Sequence, residues 1–192
     1  MKRLSFLLIM AISSIYSEAQ DLPFHEMSEP AESYSATSVL ARYIDGLGFR
    51  LYWATEGLNS SDYDYRPSAE VRTIRETMEH IYGLCIAIER TLENQGITAP
   101  EAISEISGQE LREAMLSSLQ KSKNLLNENP DLKSQDMVFG SGDQEYRLPF
   151  WNLINGPMAD AMYHTGQVVA FRRAAGNPIA SGVNVLTGKK SE

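Results

Sequence analysis

Asp160, His164 and Gln167 stand four and three residues apart in a stretch, Leu153 to Ala175, that is otherwise mostly apolar. Steps of four and three put all three side chains on one face of a helix. A carboxylate and an imidazole one turn apart are costly to bury unless they are hydrogen-bonded or metal-bound. An i, i+4 pair of this kind can chelate a divalent ion, as two histidines do on a metalloprotease helix. Spacing alone leaves both readings open, because Asp–His contacts along a helix also form without a metal. Gln167 either orients a ligand or a water from behind, or caps a polar pocket.

A metal site needs a third donor. With one cysteine, Cys85, the chain has neither an internal disulfide nor a multi-cysteine zinc cluster, so imidazole and carboxylate must hold any metal. There are three histidines. His25 lies in a polar stretch between Pro23 and Pro30 and reads as a loop histidine. His80 lies on a helix, roughly 120° from the centre of its apolar seam at 100° per residue. That boundary position either lines a cleft between helices or faces solvent.

The elements that must position these residues are helical. Val39, Tyr43, Leu47, Leu51 and Ala54 recur at three- and four-residue steps from Thr37 to Leu58, although Gly46 and Gly48 each weaken that helix by about 1 kcal/mol relative to alanine. Asn59 to Pro67 reads as turn. Thr73 and Glu76 form a capping box ahead of a seam of Ile74, Met78, Ile81, Cys85, Ile88 and Leu92 that ends at Asn94–Gly96. Cys85, inside the seam, reads as a packed small hydrophobe. Ser107 and Glu110 form a second box, opening a helix through Leu111, Met115, Leu119 and Leu126 to Asn129-Pro130. Met137–Phe139 and Glu145–Leu148 flank a glycine-rich turn and read as a short hairpin. The last helix runs from Pro149 to Ala175, with a kink expected at Asn155-Gly156-Pro157 and a stop at Gly176. The fold class is therefore all-α, a four-helix bundle with a short β-hairpin between the third and fourth helices.

At 192 residues and 43% hydrophobic content, the chain is one domain's worth with enough apolar side chains for a core. Its net charge of -8, without a clustered basic face, argues against nucleic-acid and phosphate-bearing partners. Lys2 and Arg3, the apolar run Leu4–Ile15 and the small-x-small step Ser17-Glu18-Ala19 have the layout of a secretory signal peptide. The run is too short for a spanning helix, so no integral membrane segment is expected after cleavage. The expected organisation is a signal over 1–19, an extended leader over 20–34, the helical domain over 35–178 and a loop-like tail over 179–192. Export places the mature protein in a periplasmic or secreted compartment.

The sequence resembles the DinB-like (DinB/YfiT) superfamily of metalloenzymes. The resemblance is carried by Thr73-Ile74-Arg75-Glu76 running to His80-Ile81, and by Asp160-Ala161-Met162-Tyr163-His164-Thr165-Gly166-Gln167 followed by Phe171-Arg172-Arg173 and Gly176-Asn177-Pro178. It spans residues 35 to 178. It implies a four-helix bundle with a divalent metal, zinc or nickel, held by three histidines. His80 matches the first ligand position and His164 the third; the middle one holds Asp160, giving two imidazoles and a carboxylate with open coordination positions. The resemblance further implies Gln167 behind the ligands, a small-molecule substrate and a homodimer. Export disfavours the thiol-dependent transfer of some relatives, since their low-molecular-weight thiols are mainly cytosolic, and favours metal-dependent hydrolysis. The competing reading is a non-catalytic secreted bundle with a degenerate site. Arg172 and Arg173 suit the helix C-terminal dipole or a substrate carboxylate.

Overall fold

The computed structural model describes residues 22–100, 103–128 and 131–191. The expected export signal over 1–19 and the Asn129-Pro130 helix stop lie outside them.

Helix α1 is Ala36–Thr55, capped by Ser35, whose side chain accepts from the Ser38 amide. It ends three residues before Leu58, and the stretch expected to be only turn holds a one-turn helix α2, Ser60–Tyr63. There Asn59 accepts from the Ser61 amide at 3.0 Å and donates its own amide to Asp62 at 2.9 Å, a reciprocal cap without an apolar run behind it. Helix α3, Ile74–Leu92, starts on the expected Thr73–Glu76 box. It stops at Asn94, whose φ of 56° opens the chain towards β1, Gly96–Ile97. Helix α4, Gly108–Glu128, starts on the Ser107–Glu110 box.

In both boxes a backbone amide, of Thr73 or Ser107, donates to the glutamate and holds its carboxyl below the usual range. A lowered folded pKa means the caps contribute at and above the ordinary glutamate range and are lost as pH falls through the lowered value. The Thr73 and Ser107 amide proton shifts should therefore titrate with midpoints below that of a free glutamate. Midpoints at or above the free value would contradict the caps.

All six seam residues of α3 are core, and burial pushes the Cys85 thiol far up, which makes it an inert hydrophobe. On α1, Leu47, Leu51 and Ala54 are buried with Ile44. Val39, expected in that seam, is 53% exposed because the first turns of α1 flank an open cavity.

Strand β2, Met137–Phe139, and β3, Tyr146–Leu148, form the expected antiparallel hairpin, and β1 joins the other edge of β2 in parallel. Next comes a short helix α5, Trp151–Leu153, then a π-helical turn, Ile154–Met158, and then α6, Ala159–Ala174. The expected kink is this π turn: Pro157 has no N–H to donate, and Gly156 takes φ -94°, ψ -106°. α6 ends as expected at Gly176 (φ 90°), with the Gly176 and Asn177 amides donating to the Arg173 and Arg172 carbonyls at 3.2 and 2.9 Å.

The protein is thus mostly helical with a small sheet. Each of α1 and α3 packs on both α4 and α6. No helix among the described residues is long and apolar enough to cross a membrane.

Two expectations need correction. The tail is not loop-like: β4, Val183–Asn184, pairs antiparallel with β5, Lys189–Lys190. Asn184 Oδ1 accepts from the Leu186 and Thr187 amides and so closes that turn. The leader is not simply extended. Phe24 is buried against α1 at Gly48, where a Cβ would overlap its ring, and the Met27 amide donates to the Gly188 carbonyl at 2.8 Å. The glycine that weakens α1 in isolation is thus where the leader docks.

Candidate metal centre

His80 comes from the middle of α3, whereas Asp160 and His164 come from the first two turns of α6. Packing of α3 on α6 brings the three together. His80 Nε2 lies 3.2 Å from Asp160 Oδ2, and His164 Nε2 lies 3.3 Å from Asp160 Oδ1. The imidazole rings stand edge to face, with centroids 4.6 Å apart. One donor atom from each residue can be chosen so that all three lie within 4.8 Å of one another. His164 is buried, while His80 and Asp160 are half-buried and open towards solvent.

The two histidine–carboxylate contacts, one to each oxygen of Asp160, have the spacing of neighbouring ligands on a small dication, and a single ion would draw the set in from the 4.8 Å bound. Two ligands about 2.0–2.1 Å from zinc at a tetrahedral angle stand about 3.3 Å apart. Two neutral imidazoles and one carboxylate carry a single negative charge, which a dication complements.

Gln167, half-buried one turn further along α6, meets His164 Nδ1 with Oε1 at 2.6 Å. With an oxygen accepting there, Nδ1 carries the hydrogen and Nε2 turns a bare lone pair towards the carboxylate, a tautomer assigned from the hydrogen-bond pattern. Two lone pairs 3.3 Å apart repel unless a proton or a cation lies between them. This is the outer partner that an imidazole ligand usually has. Gln167→Ala should weaken zinc binding roughly 10- to 100-fold in a competition titration with a chromophoric chelator, with thermal stability little changed. Wild-type affinity in that variant would reduce Gln167 to a pocket cap.

Through Asp160 the site borders an open cleft of about 430 Å³, lined also by Tyr163, Leu84 and the π-helical residues Asn155, Gly156 and Pro157. The break at Asn155-Gly156-Pro157 forms part of its wall, and π turns inside helices are frequent at functional sites. Tyr163 is exposed and its ring stands 5.1 Å from that of His164. Glu76 faces its own helix terminus as the cap of α3. His25 lies apart from the cluster, its ring 5.3 Å from Tyr52 and 5.0 Å from Trp53.

No family model, curated protein or solved structure matches this chain. The reading of the site stands on its geometry: a His–Asp–His group that can hold a divalent metal.

Arg172 is not available to a substrate. Only 2% exposed, its guanidinium donates to the carbonyls of Ala54 and Glu56 at 2.9 and 2.8 Å, and to that of Asn177 at 2.7 Å. It holds the end of α1, not a ligand. Spacing gave no sign of this, because the partners at the end of α1 lie more than a hundred residues away.

Proposed function

We propose that the protein is an exported, DinB-like four-helix bundle that holds one divalent cation, zinc or nickel, on His80, Asp160 and His164, and that uses it to hydrolyse a small molecule. The observation that carries this reading is the convergence of three donors from two distant stretches at separations suited to a single ion. The resemblance in the residues around His80 and His164 supports the family, and the packing of four long helices supports the bundle.

A cation with three protein ligands and an open position supplies Lewis acidity for attack on a carbonyl or similar group. The chain's own residues do the rest. His80 and His164 hold from two helices, and Gln167 fixes the His164 tautomer. The cleft lining of Leu84, Pro157 and the Tyr163 ring favours an apolar group next to the reacting bond. Among the described residues no lysine or arginine lines the cleft, so charge selection of the substrate falls to the bound ion and body selection to these apolar groups.

Protein purified under metal-replete conditions should carry about one equivalent of zinc or nickel and should turn over a member of an ester and amide panel. Activity should vanish with chelation and return with the metal. Bound metal without turnover on any member favours the non-catalytic binding module. No metal at all overturns the whole reading.

A further inference from the structure

We propose that a second cavity, separate from the metal cleft, binds a small amphipathic molecule with an apolar body and an anionic head. The cavity holds about 740 Å³, and its wall is mainly apolar, with Val39, Leu40, Leu132, Phe150, Trp151 and Ile154 contributing. It shares no lining residue with the metal cleft, although Ile154 faces this side of the π turn and Asn155 the other.

Three features set the class of ligand. First, the wall is assembled from the start of α1, the turn at Leu132, the approach to β2 and the segment before the π turn. That makes a concavity, not the flat face of one helix, and its volume lies within the roughly 300–1,000 Å³ of small-molecule sites. Second, Trp151 is 76% exposed and Tyr34 97% exposed at its margin, a solvation cost that a bound apolar body would remove. Third, the charges favour an anion. Lys133 lines the cavity and has no ion-pair partner among the described residues. Ser35 and Ala36, the positive end of α1, open onto the same space, and the first turn of α1 carries no acidic residue. Asp136 is the one opposing charge among the described lining residues, so the head must sit towards Lys133.

Laurate and dodecyltrimethylammonium below their micelle concentrations, and dodecanol below its solubility limit, distinguish the heads on a common tail. Titrated into the purified protein, laurate should bind saturably, tightest of the three, with a blue shift in tryptophan emission. Trp151→Phe should abolish that shift while calorimetric binding persists. Lys133→Glu should weaken laurate at least about tenfold and leave dodecanol unchanged. Val39→Asp, at a position exposed enough to leave the fold intact, should abolish binding of both. No saturable binding of any probe, or the ammonium binding as tightly as laurate, overturns the proposal. So does a concentration-dependent blue shift without any probe that Val39→Asp removes, which would make the cavity wall a contact between copies of this chain.

Discussion

His164→Ala should lower zinc affinity more than about 100-fold, beyond the 10- to 100-fold cost typical of losing an outer partner such as Gln167. No other imidazole can replace it: His80 is already a donor of the site, and His25 packs against Tyr52 and Trp53. His80→Ala should cost a similar amount, for it is the sole donor from α3 and the link that makes the site span two helices. Asp160→His gives a set of three imidazoles, which zinc also accepts, and should keep zinc bound. Asp160→Asn removes the charge that the dication complements and should weaken binding. Calorimetric titration of the four variants, each checked for unchanged helicity, would decide the matter. Wild-type affinity in both histidine-to-alanine variants would mean that the cluster is only hydrogen-bonded.

The second large effect is on stability. Arg172→Met should destabilise the protein by about 3–5 kcal/mol, the range for breaking a buried charged network. Several acceptors lose their donor together: the buried carbonyls of Ala54 and, at 3.2 Å, Trp53, and the part-buried carbonyl of Glu56 and two oxygens of Asn177. Burial pulls the guanidinium down from its ordinary value, against the pull of Asp62 and Glu56, yet it stays charged and sits at the negative end of the α1 dipole. Asn177 also donates to Asp62 at 2.7 Å, so the disturbance reaches α2. For a chain of this size the loss corresponds to a fall in Tm of roughly 10 °C. Arg172→Lys should recover only part of it, since an ammonium cannot present a planar fork to carbonyls on several sides. Denaturant melts give the energy, and metal affinity should barely change. A loss under about 1 kcal/mol would contradict the anchoring role, since leaving even one buried acceptor unpaired costs that much.

What could be read from the chain follows the range of the interactions. The caps at Thr73 and Ser107, the seam from Ile74 to Leu92 and the stop at Gly176 are local, set by residues within one or two turns, and their signals are strong. The pairing of Asp160 with His164 was legible for the same reason. That His80 meets them was not: a boundary position on α3 becomes a cleft position only through the crossing with α6, and the resemblance, not the spacing, pointed to it. The π turn likewise defeats angle counting, because 100° per residue cannot be carried from Leu153 to Asp160 across Gly156. Strands β1, β4 and β5 are two residues each, too short for any periodicity, and the docking of Phe24 on Gly48 joins segments that are distant in sequence.

The most direct measurement is a crystal structure of the purified protein grown with zinc, with data collected at the zinc edge. One anomalous peak within about 2.0–2.2 Å of His80 Nε2, His164 Nε2 and a carboxylate oxygen of Asp160 is the expected result. A map with no peak there, and with the two imidazoles turned away from the carboxylate, would contradict the account.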